Sequence, residues 1–274
     1  MLVDVEGKEW SQVGGSAWFA AFGAAAVCHV RLVAAIGRDF PEVALEKLRL
    51  AGVDLSGIHR DPDRNSFFWK ARYGNHPDER ETIALFPNVE DNFRPDLSAC
   101  ADRFLYLANC QPRLQNAALR QIPESTFVGL DTIDRWIRDQ REELCEMLPR
   151  IDLFLINAYE AGLLAGPGSP EDCCRKILEL GPRRCVLKMG SQGALVADPQ
   201  GQMLFVPSRH VDHVRDATGA GDTFGGALFG TLASQAATIT TESIARAAGK
   251  AAAVAAHRIS RPGIDHLIGW SPAD

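Results

Sequence analysis

Short apolar runs alternate along this chain with stretches whose apolar side chains recur every three or four residues. Val30–Ile36, Phe104–Ala108, Phe127–Asp131, Ile151–Ile156 and Cys185–Lys188 are brief and almost wholly apolar. That is the pattern of strands buried on both faces of a parallel sheet. Between them lie helical spacings. Pro41–Leu50 carries Val43, Leu45, Leu48 and Leu50 with Gly52 past its end, and Leu114–Arg120 and Trp136–Leu148 follow the same period. Ser169-Pro170-Glu171-Asp172 is a helix start and Gly181-Pro182 the matching stop. Ser16–Val27 and Ser243–His257 are rich in alanine, so helices there can approach a sheet closely. The rhythm predicts an α/β fold, a doubly wound and mostly parallel sheet flanked by helices, with ligands at the carboxyl ends of the strands. We read residues 1–274 as a single domain.

One stretch departs from the rhythm. From Ser66 to Phe86, Phe67, Trp69, Ala71 and Tyr73 alternate with Phe68, Lys70 and Arg72, then Gly74-Asn75 precedes Thr82-Ile83-Ala84-Leu85. This predicts a β-hairpin with a polar loop. Its mixture of charges and aromatics suits a small sheet, from about 60 to 90, that covers a cleft; a plain edge hairpin is the alternative.

Composition narrows the function. With 29 Lys and Arg against 35 Asp and Glu the net charge is −6, which provides no basic surface for nucleic acid or anionic lipid. The apolar run Ser16–Cys28 is too short to span a bilayer, and Asp4, Glu6 and Glu9 before it are no signal-peptide leader. The seven cysteines, at 28, 100, 110, 145, 173, 174 and 185, form no Cys-x-x-Cys pair. Reduced thiols and a cytoplasmic protein are expected.

The chemistry concentrates in Val214–Gly226. An alternating apolar segment (Val206, Val211, Val214) runs into a turn containing Gly219 and Gly221, and a helix follows through Phe224, Ala227, Leu228 and Leu232. Glycines let backbone approach a ligand closely, and the N–H groups opening a helix favour an anion such as phosphate. Asp222 then places a carboxylate beside that anion. A carboxylate is no phosphate ligand, so its useful role is to take the proton from a nucleophile attacking the phosphate. The bland alternative is an Asp that stabilises the helix dipole. A dinucleotide fingerprint fits poorly, because the spacing is Gly219-x-Gly221-x-x-x-Gly225.

Thr218-Gly219-Ala220-Gly221-Asp222, with Asp216 before it, resembles the signature of the ribokinase-like (PfkB) carbohydrate kinases. The resemblance extends to Gly14-Gly15 ahead of a helix, to Gly37 and Asp39 after a strand, and to Asn157-x-x-Glu160. It implies ATP as phosphoryl donor, with Asp222 as the catalytic base and Gly219, Ala220 and Gly221 as the anion hole. It sets Gly14, Gly15, Ser16 and Asp134 against the sugar, although Asp134 serves equally well as a helix cap. Lys188, Gly190, Ser191, Gly193 and Thr218 fall on the nucleotide side, with Gly249, Lys250 and Ala253 as candidates near adenine. Asn157 and Glu160 hold Mg²⁺ through water in this reading, and form a capping box in the simpler one. The Asp-x-Asn-x-Arg that relatives often carry is not matched, although Asp131 and Arg135 are present.

Two departures count against an ordinary sugar kinase. No apolar strand precedes Asp4, so the first buried strand of the family is expected to be missing. Trp18 and Phe19 stand where an Asn is common, and an aromatic wall suits a nucleoside as well as a sugar. The expected activity is phosphoryl transfer to a primary hydroxyl of a sugar or sugar-containing small molecule. The rivals are a nucleoside kinase and a non-catalytic binding relative. By the same resemblance the lid offers a homodimer contact.

Overall fold

Strands form where the apolar runs stand, and the helices between them pack on both faces. A computed structural model describes residues 2–3, 9–73, 80–98, 103–235 and 238–272. In chain order, β1 (Leu2–Val3) and β2 (Glu9–Trp10) precede α1 (Ser16–Ala25), β3 (Val30–Ile36), α2 (Glu42–Leu50) and β4 (Val53–Arg60). The hairpin is β5 (Phe68–Tyr73) and β6 (Arg80–Phe86). Then come β7 (Phe104–Leu107), α3 (Pro112–Leu119), β8 (Phe127–Asp131), α4 (Asp134–Asp139), α5 (Arg141–Met147) and β9 (Leu153–Asn157). The remainder is α6 (Ala158–Ala165), α7 (Pro170–Glu179), β10 (Cys185–Lys188), β11 (Ala194–Ala197), β12 (Met203–Val206), α8 (Ala220–Ser234) and α9 (Thr241–Ile259).

The main sheet has the order β12-β11-β10-β9-β8-β7. β7 to β10 are mutually parallel, and β11 and β12 add two antiparallel strands. Period-two alternation divides the core. Leu153 and Leu155 of β9 face α1, α8 and α9, whereas Phe154 and Ile156 face the side of α5, α6 and α7. Three features refine the sequence reading. The sheet is not continuous, because β3 and β4 pair in parallel as a separate two-stranded sheet. The helix expected over Trp136–Leu148 breaks at Gln140, whose φ of −140° and ψ of 41° end α4 before α5 begins. Val211 and Val214 lie in irregular chain after β12.

The hairpin forms as expected, with a register shift between Lys70 and Ala71. It gains two strands, for β1 pairs in parallel with β5 and antiparallel with β2, giving the order β2-β1-β5-β6. The loop tip at Gly74-Asn75 lies outside the described residues. The six described cysteines are free thiols, with Cys173 and Cys174 buried.

Small residues let α1 and α8 touch backbone to backbone. A Cβ on Gly226 would stand 2.0 Å from the Ala20 carbonyl oxygen, and one on Gly23 would stand 2.2 Å from that of Thr223. This contact sets the N-terminus of α8 over the carboxyl ends of the parallel strands.

Candidate active site

A cleft of about 2540 Å³ runs between the main sheet, α1, α8, α9 and the lid. A single small-molecule site occupies ~300–1,000 Å³, so there is room here for two ligands side by side. The turn into α8 is part of its lining. Gly219 caps the helix with φ of 73°, a left-handed conformation that glycine adopts without steric cost. It is also pressed on Phe19, whose ring would lie 2.2 Å from a Cβ at that position. Gly219, Ala220, Gly221 and Asp222 all line the cleft, with Asp222 on the first turn of α8.

Beneath this turn is a charge network that spacing alone did not reveal. Lys188 ends β10 and Asp131 ends β8 on the far side of β9, and Lys188 Nζ lies 2.7 and 3.0 Å from the two Asp131 carboxylate oxygens. Both are well covered, at 16% and 4% side-chain exposure, so each charge depends on the other. Burial pulls the Lys188 ammonium down, but Asp131, Glu160 and Asp222 outweigh it and leave its pKa raised. The Tyr106 hydroxyl donates to Asp131 at 3.1 Å, and burial with the Asp131 and Asp222 charges pushes that phenol well up. A Cβ on Gly221 would lie 3.6 Å from Lys188 Nζ. Lys188 is thus a cation paired with Asp131 beneath the Gly219–Asp222 turn, and it lines the cleft.

Asn157 and Glu160 form the capping box of α6. Glu160 N–H donates to Asn157 Oδ1 at 2.9 Å, and Asn157 N–H donates to Glu160 Oε2 at 3.0 Å. Both line the cleft and Glu160 is buried.

Gly14, Gly15, Ser16 and Asp134 line the cleft. Gly15 caps α1 at φ of 104°. Ile133, rather than Asp134, is the N-cap of α4. Asn109 is an unforeseen neighbour; its amide donates to Ser16 Oγ at 3.3 Å and its oxygen accepts from Trp136 Nε1 at 2.8 Å. The lid itself is anchored by Gly37 and Asp39. Gly37 N–H donates to Ser66 Oγ at 2.9 Å, and Ser66 N–H donates to the Asp39 carboxylate at 2.6 Å. Trp18 and Phe19 do not form an open aromatic wall. Trp18 is buried against Phe22 and Phe40, and Phe19 lies under Gly219 and Arg258, because α1 turns both rings into the core.

Gly190, Ser191, Gly193 and Thr218 also line the cleft. Gly193 has φ of 103°, and a Cβ there would meet the Val206 carbonyl at 2.3 Å. On α9 the cleft is lined by Ala252, Ala255, Ala256 and Ile259, whereas Gly249, Lys250 and Ala253 are not among its lining residues. The Ala-rich spacing marked this helix, but its rotation is set by packing on α8.

Residues 3–268 match the pfkB family carbohydrate kinase pattern. The chain belongs to that family. Its members are phosphotransferases acting on hydroxyl groups. An ATP-dependent 6-phosphofructokinase of Thermoanaerobacterium thermosaccharolyticum is 31% identical over 86 residues, which are 31% of this chain and 26% of the relative. A cytidine kinase of Thermococcus kodakarensis is 25% identical over 232 residues, 82% of either chain. Among solved structures, a fructokinase of Vibrio cholerae with fructose, ADP and calcium bound superposes with a TM-score of 0.78 at 21% identity, over 97% of this chain and 92% of that one. This confirms the ribokinase-like fold of the pfkB-family chain. No helix among the described residues is long and apolar enough to cross a membrane.

Proposed function

We propose that this pfkB-family chain transfers the γ-phosphoryl group of ATP to a primary hydroxyl of a sugar or sugar-containing small molecule. The observation that carries this reading is the opening of α8, where left-handed Gly219, Gly221 and Asp222 meet in one cleft above the Lys188–Asp131 pair. The acceptor sits at the lid end with Gly14, Gly15, Ser16 and Asp134, and the nucleotide at the end of Gly190, Ser191, Gly193 and Thr218. On α9, the adenine-side residues are those of the Ala252–Ile259 face. Asp222 takes the hydroxyl proton as that oxygen bonds to the γ-phosphorus. The bond from phosphorus to the bridging oxygen breaks, and ADP leaves. The amides of Gly219 to Asp222 offset the charge that builds on the transferred group, and Lys188 adds a fixed positive charge beside Gly221.

Mg²⁺ keeps most of its waters and needs few protein oxygens. Asn157 and Glu160, which line the cleft, would hold the ion through water. Bound there, it neutralises phosphate charge. The lid carries exposed Ile83 and Phe86, and we assign it a homodimer contact, to be read by sedimentation.

The test is Mg-ATP-dependent phosphate transfer to a panel of sugars and nucleosides, with Asp222→Asn alongside. Loss of a positioned base costs ~10²–10⁴ in rate, so the variant should lose most turnover and still bind Mg-ATP. A variant with wild-type kcat would remove Asp222 from the mechanism. The second reading, a nucleoside acceptor, is supported by the cytidine kinase that aligns over 82% of this chain; the same panel separates the two.

A further inference from the structure

Arg258, in the last turn of α9, is the largest fully buried side chain of the described residues. It does not line the cleft. Its guanidinium instead gathers oxygens from the turn that leads into Gly219. Nη2 donates to Asp216 Oδ2 at 2.9 Å and to the Thr218 carbonyl at 3.0 Å. Nη1 reaches the carbonyls of Asp216 and Arg261, each at 3.4 Å. The plane lies 5.0 Å over the Phe19 ring, the ring on which Gly219 is pressed. Nε is buried and meets no described partner, so one N–H goes unmet while the outer nitrogens serve these oxygens.

Peptide geometry turns this brace into an effect on the cleft. None of the described peptide bonds is cis, and in a trans peptide the C=O and the following N–H point in opposite directions. With the Thr218 carbonyl drawn to Arg258, the Gly219 N–H is directed away from it, toward the cleft that Gly219 lines. The Asp216 carbonyl fixes the Ala217 N–H in the same way. Three carbonyls and a carboxylate around one positive centre are also the hard-oxygen shell that a small free cation takes. Without a positive charge at their centre, these dipoles would repel one another and the turn would open.

We propose that Arg258 is a positioning residue for phosphoryl transfer, a built-in cation that holds the Asp216 and Thr218 carbonyls and so aims the Gly219 amide. A corollary is that turnover needs no dissociable monovalent cation. The inference rests on the kinase reading above, and its test separates the two.

Wild-type turnover and Mg-ATP affinity are measured in choline chloride and in potassium chloride at equal ionic strength, with the best acceptor of the panel. Both should agree within about twofold between the two salts. Arg258→Ala should lose about 10²-fold or more in kcat, the scale of one misdirected oxyanion donor. Millimolar guanidinium or potassium should restore part of it, whereas tetramethylammonium and urea should not. Arg258→Lys, which keeps the charge, should fall between. A wild-type rate that rises tenfold or more with potassium overturns the proposal, as does folded Arg258→Ala with wild-type kcat. If Arg258→Ala does not fold, the wild-type salt comparison and Arg258→Lys still decide. If wild type is inert with every acceptor, the kinase reading falls and the positioning role in transfer falls with it, and equal Mg-ATP binding in both salts then supports only the built-in cation.

Discussion

Gly219→Ala tests the anion turn most directly, because two separate costs can be worked out for it. The native φ of 73° lies in the left-handed region, where an L-residue with a Cβ loses ~1–2 kcal/mol. The added Cβ would also stand 2.2 Å from Cγ and Cδ2 of Phe19. Phe19 is itself buried under Arg258 and has no room to swing aside, so overpacking adds ~1–3 kcal/mol. The sum is roughly 2–5 kcal/mol. If the turn relieves this by shifting, its amides leave the position proposed for the phosphate and kcat should fall by ~10²–10³. Gly201→Ala is the internal control, with φ of 88° and nothing within 4 Å of its Cβ, so only the backbone cost applies. Urea unfolding gives the stabilities, and steady-state turnover with the best acceptor gives kcat. Equal destabilisation of the two variants, together with a Gly219→Ala kcat within about twofold of wild type, would refute the reasoning.

Two further outcomes follow from the buried charges. Lys188→Met leaves Asp131 charged in the interior and should destabilise by ~3–5 kcal/mol, and Asp131→Asn added to it should recover much of that loss in urea unfolding. Because the folded pKa of Lys188 is raised, its contribution is fully present below the ordinary lysine value of about 10.4. It fades as pH rises through the folded value, so the stability gap between wild type and Lys188→Met should stay level from neutral pH into the mildly alkaline range. Asp216 behaves oppositely. Burial pushes its carboxyl up, but hydrogen bonds from Arg258 and Thr218 and the Arg258 charge bring it below the usual range. Its contribution is present above about pH 3.9 and is lost as pH falls through the lower folded value, so Asp216→Asn should flatten the acid limb of the stability profile.

Features carried by neighbours in the chain are legible in the sequence alone. Val30–Ile36 and Cys185–Lys188 read as strands with the limits they show, since an apolar run needs little context to be buried. Gly219-Ala220-Gly221-Asp222 announces a turn and helix start, and Asn157 with Glu160 announces a cap, because these bonds close within three or four residues. The pfkB family follows from those motifs and their order.

Tertiary structure decided what distant residues do together. Lys188 and Asp131 are 57 positions apart, and they meet because β9 alone separates their strands in the sheet. Arg258 and Asp216 are 42 apart, joined only when α9 packs along α8. The burial of Trp18 and Phe19, and the face of α9 that lines the cleft, depend on how each helix is rotated on its neighbours. Local pattern sets a residue's conformation and the period of its side chains. It carries no record of which far partner the fold will bring alongside, and in this protein those partners hold the charges around the Gly219–Asp222 turn.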